Sequence, residues 1–128
     1  MTDWVWLRED VICAYHDAQI AEHSGLVGIK DRGAIESALM RPRHKANYGK
    51  PDAAELAAAY AFALAKAHGF NDGNKRAAWI AARLFLKLNG FDLRFDKIQA
   101  IDLMLKLTAG EIGEDHFADW LRERMAPV

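Results

Sequence analysis

The run His68-Gly69-Phe70-Asn71-Asp72-Gly73-Asn74-Lys75-Arg76 places an imidazole, a carboxylate, a flexible turn and two adjacent cations within a few residues of one another. Each residue type has a use in phosphate chemistry. Gly73 can take a positive φ and turn its N–H toward an oxyanion, and Asn74 tolerates the same backbone region and can donate from its amide. Arg76 offers a planar fork to two phosphate oxygens, and Lys75 adds a point charge. Asp72 is a hard oxygen ligand suited to magnesium, which usually keeps several waters and needs few carboxylates besides the phosphates. His68 is the natural acceptor of a proton from an attacking hydroxyl. Phe70 reads as the anchor of the loop in the core.

Taken singly, these residues are ordinary. A His-Gly pair at a helix end is a C-terminal cap, Asn-Asp-Gly-Asn is a turn, and Lys-Arg is a solvated pair. Their joint occurrence is not ordinary, because a helix starts near Asn74 and its positive dipole end disfavours each cation by roughly 0.3 to 1 kcal/mol. Asp72 offsets only part of that charge. A bound polyphosphate would supply the missing anion, and broken local rules of this kind mark functional sites.

Two apolar helices flank the loop. Upstream, Asp52 and Glu55 have capping-box spacing at the head of an alanine-rich segment that runs to Ala67. Downstream, Arg76 to Leu88 is apolar except for a stripe of Arg76, Arg83 and Lys87, and Asn89-Gly90 supplies a stop. Both helices are predicted to be central and buried, which makes the loop between them a rigid platform.

The rest of the path predicts an all-α bundle with minor β content. Trp4 to Leu7 suggests a short strand, followed by helices over 8–23 and 31–40, the second capped by Asp31 and stopped near Pro42. Beyond the central pair, Gly90 to Phe95 is a turn with a short extended piece. Asp96 and Gln99 open a helix to about Ala109, and a last helix spans 114–125.

With 128 residues, 52% of them hydrophobic, the chain suits one domain over 1–128. A formal charge of −1 offers no general field for nucleic acid. The one cysteine, Cys13, excludes an internal disulfide and reads as core. No apolar run has the length of a membrane span, so a cytoplasmic location is expected and no membrane partner. The histidines lack zinc-ligand spacing, and there is no Walker loop.

The motif resembles the signature of the Doc branch of the Fic/Doc superfamily, and Gly25-Leu26-x-Gly28-x-x-Asp31-x-Gly33-x-Ile35-Glu36-Ser37-Ala38-Leu39-x-x-Pro42 is similar to that branch as well. Across nearly the whole chain, the resemblance implies a Fic/Doc-type helical bundle with a short β flap. It also implies ATP and magnesium as cofactors. His68 would be the catalytic base, Asp72 the magnesium ligand, and Asn71, Gly73, Asn74, Lys75 and Arg76 the nucleotide clamp. Fic proteins in the wider sense carry His-Pro-Phe and a glycine where this chain has Lys75, and typically transfer AMP to a hydroxyl. Gly69 and Lys75 favour the Doc branch, in which resemblance implies transfer of the γ-phosphoryl. A lysine fills space a glycine would leave and suits a terminal phosphate.

By the same resemblance, the chain would be the toxin of a toxin-antitoxin system that phosphorylates elongation factor Tu and arrests translation. Its restraint would be a small antitoxin, since neither Thr2, Ser24, Ser37 nor Thr108 begins the self-inhibitory pattern of many Fic proteins. The basic stretch Arg41 to Pro51 reads as a loop; by its position in Fic relatives it would be the flap, with Lys45, Ala46, Asn47 and Tyr48 pairing with an extended segment of the target. AMP transfer is the alternative reaction. The alternative class is a non-catalytic helical binding module using Arg41 to Lys50, although the helix after Arg76 is too apolar to be an exposed recognition helix.

Overall fold

The computed structural model describes residues 3–128; Met1 and Thr2, which begin the expected domain, lie outside the described residues. Six helices and two short strands follow one another: α1 (Glu9–His23), α2 (Arg32–Tyr48), α3 (Ala53–Ala67), α4 (Asn74–Leu88), β1 (Phe91–Leu93), α5 (Lys97–Ala109), α6 (Glu114–Arg124) and β2 (Met125–Pro127). The expected all-α Fic/Doc-type architecture with minor β content is what forms.

Helix α3 is the axis of the bundle and packs against α2, α4, α5 and α6. Its alanines explain this: Ala54, Ala57, Ala58 and Ala61 are fully buried and let neighbouring helices come close, while Leu56, Tyr60 and Leu64 fill the gaps between them. The expected capping box is present, with Asp52 accepting from the Glu55 N–H at 2.9 Å and Glu55 returning to the Asp52 N–H. Helix α4 buries Ala77, Ala78, Ala81, Ala82, Phe85 and Leu86 against this axis. The loop between α3 and α4 is therefore fixed at both ends by the best-packed part of the molecule.

Three elements differ from expectation. Residues 4–7 are extended without forming a strand, because side chains satisfy their backbone: Asn89 donates to the Val5 carbonyl and accepts from its N–H, and Tyr60 Oη accepts from the Leu7 N–H. Helix α2 does not stop at Pro42 but runs to Tyr48. A helical proline costs about 3 kcal/mol, which is offset here by its complete burial and by Glu114, which takes Arg41 at 2.6 Å and Lys45 at 2.5 Å and holds the last turns in place. The final helix ends at Arg124, and Met125–Pro127 pairs antiparallel with β1, Leu93 facing Met125 and Phe91 facing Pro127.

Among the described residues no helix is long and apolar enough to cross a membrane.

Candidate active site

His68 terminates α3 in the left-handed region, at φ 51° and ψ 41°. Non-glycine residues are uncommon there, and such conformations collect at functional sites. The histidine is thus both the C-terminal cap expected of a His-Gly pair and an exposed imidazole without a hydrogen-bond partner among the described residues. Gly69 has a steric reason: a Cβ at this position would run into the Ile35 side chain on α2. Phe70 is 2% exposed and anchors the loop as expected. Asn74 clamps it from the far side, its Oδ1 accepting from the Phe70 N–H and its Nδ2 donating to the Phe70 carbonyl, each at 3.0 Å.

A second segment, between α1 and α2, crosses this loop. Gly69 carbonyl accepts from the N–H groups of Lys30 and Asp31, Asn71 N–H donates to the Gly28 carbonyl, and Ile29 and Phe70 form an antiparallel bridge. Asn71 Nδ2 adds a bond of 2.9 Å to the Val27 carbonyl. Gly25, at φ 138°, has no room for a side chain because a Cβ would lie 2.9 Å from Asp72 Oδ2. Gly25 and Gly28, the latter at φ 98°, therefore serve this crossing, whereas Gly33 lies in the first turn of α2. Leu26 and Val27 project from it, 67% and 72% exposed.

The carboxylate of Asp72 sits where the two segments meet. Leu26 N–H donates to Oδ2 at 3.2 Å and Gly73 N–H to Oδ1 at 2.9 Å. These two bonds, helped by the charge of Arg76, hold its carboxyl below the usual carboxylate range. Both hydrogen bonds favour the charged form, so the group is an anion at neutral pH and retains lone pairs for a cation. Gly73, at φ 73°, then starts α4 with no side-chain cap and no acidic residue in the first turn. Lys75 and Arg76 follow, both exposed, and neither is in an ion pair among the described residues. Such a helix start is an anion site by its dipole, its free N–H groups and its cations together.

These groups line one open cleft of about 520 Å³, with His68, Asn71, Asp72, Gly73, Asn74, Lys75 and Arg76 all on its wall and Thr108 of α5 at one edge. The sequence-predicted site residues are thus brought together, with a change of emphasis for two. The amides of Asn71 and Asn74 hold the loop in shape, so that less of either is left to face an anion. One carboxylate among phosphates is a donor set that suits magnesium, and no cluster of three metal-ligating side chains exists among the described residues.

The expected flap is corrected. Lys45, Ala46, Asn47 and Tyr48 form the last turn of α2, whose N–H groups are spent on helical bonds, so the segment presents no extended edge for strand pairing. Lys45 and Tyr48 border a different cleft, of about 640 Å³, which shares no lining residue with the first. The segment that does abut the motif is Gly25 to Asp31, irregular but for the bridge at Ile29. The upstream signature contained it, but nothing local in the sequence gave its direction.

Sequence reasoning also missed His16 of α1. Its side chain is buried and its Nε2 lies 2.7 Å from the Asp72 carbonyl oxygen. The contact joins residues far apart in the chain, and no spacing rule could find it.

The Fic/DOC family description matches residues 6–86. The chain is 39% identical over 117 residues to the protein kinase doc of Escherichia phage P1, covering 91% of this chain and 92% of that protein. It is 38% identical over 116 residues to the toxin Doc of Mycolicibacterium smegmatis, covering 87% and 85% respectively. With the motif loop, its crossing segment and the surrounding helices as described, and with relatives of matching length, this chain belongs to the Fic/Doc family, in its Doc branch.

Proposed function

We propose that the chain is a Doc-type toxin that uses ATP with magnesium to phosphorylate a hydroxyl of a translation factor, elongation factor Tu being the expected target, and so arrests translation. One observation carries this reading: an uncapped helix start with two cations unpaired among the described residues opens onto a cleft that also holds an exposed imidazole and an ionised carboxylate. Phosphoryl transfer asks for positioning and charge stabilisation more than covalent chemistry, and this loop has the parts for both. The acceptor oxygen bonds to the γ-phosphorus as the bond from that phosphorus to the bridging oxygen breaks; ADP leaves, and His68 takes the hydroxyl proton. Lys75, Arg76 and the first-turn N–H groups of α4 hold the phosphates, and Asp72 holds the magnesium, which neutralises phosphate charge. The exposed Leu26 and Val27, beside the cleft, are the surface for the target's side chains. A small antitoxin is the restraint that a toxin of this branch calls for.

AMP transfer is the second reading, because Gly69 no longer argues against it. Because Ile35 accounts for that glycine, only Lys75 still argues for the phosphoryl over the adenylyl product. Incubating elongation factor Tu with the chain, ATP and magnesium, then measuring its intact mass, decides between them. Phosphoryl addition is expected. Adenylyl addition establishes the second reading, and an unchanged mass together with no nucleotide binding leaves a non-catalytic module.

A further inference from the structure

We propose that His16 is a positioning residue that fixes the peptide between Asp72 and Gly73, and through it both the carboxylate and the anion-binding start of α4. His16 is 2% exposed and, Tyr60 apart, is the one buried polar side chain among the described residues. Its Nε2 faces the Asp72 carbonyl oxygen at 2.7 Å. A carbonyl only accepts, so Nε2 carries the hydrogen. The ring is stacked on Phe70, centroids 3.8 Å apart and planes inclined by 14°. A Cβ on Gly73 would lie 3.4 Å from Nε2, so the imidazole forms the floor directly beneath this turn.

The peptide it grips has two ends. His16 holds the carbonyl from inside the protein, and the N–H of the same unit, on Gly73, points the other way to Asp72 Oδ1 at 2.9 Å. Fixing the carbonyl fixes the plane, and with it the direction of that N–H at the mouth of the cleft. Buried polar atoms are normally all partnered. Here the second ring nitrogen, Nδ1, has no hydrogen-bond partner among the described residues, its nearest acid being Asp17 at 3.8 Å. A leucine would spare that penalty but leave the Asp72 carbonyl without its partner, so what the imidazole supplies here is its grip on this peptide.

This inference rests on the nucleotide-binding reading for its consequence, but its geometry can be tested without it. The comparison is His16→Leu with His16→Gln, whose amide nitrogen can reach the position of Nε2 and donate to the same carbonyl. In full-length protein, amide hydrogen exchange at Gly73 should speed up in His16→Leu by more than its change in melting temperature accounts for. His16→Gln should restore the slow exchange. Binding of magnesium-ATP should weaken about tenfold or more in the leucine variant, as for outer partners of other ligand sites, and recover in the glutamine variant. Equal exchange at Gly73 in all three proteins would overturn the proposal, as would a leucine variant that binds magnesium-ATP like the wild type. A fall in melting temperature parallel to the loss of binding, without rescue by glutamine, would reduce His16 to a packing residue and equally overturn it. If the wild type binds no nucleotide, the functional reading fails alone, and the exchange experiment still decides the role of His16.

Discussion

Helices α3 and α4 begin in opposite ways. At the start of α3, Asp52 and Glu55 close a capping box, and Arg122 reaches over from α6 to take Asp52 Oδ2 at 2.7 Å. Just upstream, the cations Arg41 and Lys45 are both consumed by Glu114. At the start of α4 there is no cap, no first-turn acid, and two cations without an ionic partner among the described residues. Both regions are basic junctions entering a buried helix. At the first, the chain itself pairs Arg41 and Lys45 and sets Arg43 over the Trp6 ring, with Lys50 left in solvent; the second is proposed to be completed by an anion from outside. Basic composition is therefore a poor guide to binding, and the informative feature is whether the chain supplies the counter-charge.

The comparison breaks most severely at His68. Replacing it with alanine should reduce transfer by roughly 100-fold or more while leaving nucleotide affinity and the melting temperature nearly unchanged. The wild type expressed alone should stop cell growth, the His68→Ala form should not, and co-expression of an antitoxin should rescue the wild type. Substantial transfer by the alanine form would remove His68 from the base role.

Arg76→Ala comes next. Losing a forked charged contact should weaken nucleotide binding by roughly 1.5 to 3 kcal/mol, with no loss of fold stability because no protein acceptor is abandoned. A calorimetric titration with ATP checks this, and unchanged affinity would contradict the clamp. Asp52→Ala at the other junction should do the reverse, lowering stability by about 1 kcal/mol without touching nucleotide affinity. The hydrogen bond from Arg122 is the main reason the Asp52 carboxyl titrates below its ordinary value, with some burial opposing and the Glu55 N–H helping. Its stabilisation is therefore complete above the unfolded value and is lost as pH falls through the lower folded one. Below about pH 4, the stability gap between wild type and Asp52→Ala should shrink, as urea titrations along a pH series would register.

The smallest effect sharpens the contrast. Lys75→Glu places an acid in the first turn of α4 and should stabilise the fold by about 0.3 to 1 kcal/mol, while nucleotide binding falls. A variant that gained stability and kept its affinity would show that this terminus does not need its positive charge.

What could be read from the sequence follows the range of the forces involved. Asp52, Glu55, Asp31 and Asp96 cap within a few residues, so the starts of α2, α3 and α5 were legible. The site loop was legible for the same reason, being continuous from His68 to Arg76. Pro42 misled because its burial and the ion pairs of Glu114 come from distant elements. Strand β2 has its partner in Phe91–Leu93, and His16 has its partner in Asp72, neither of which a local pattern can reveal. The flap was misplaced because position along the chain stood in for position in space.

The contact between Gly69 and Ile35 makes two sequence positions a single unit of variation. A larger residue at 69, proline included, would lever α2 away from the motif unless Ile35 had first been shortened. Shortening Ile35 alone leaves a cavity of the kind that costs about 1 kcal/mol or more. Of the two mutational routes to a bulkier loop, then, one passes through a mildly weakened protein and the other through a displaced helix. Epistasis of this sort confines the chain to its present loop for reasons of volume, whatever chemistry the loop performs.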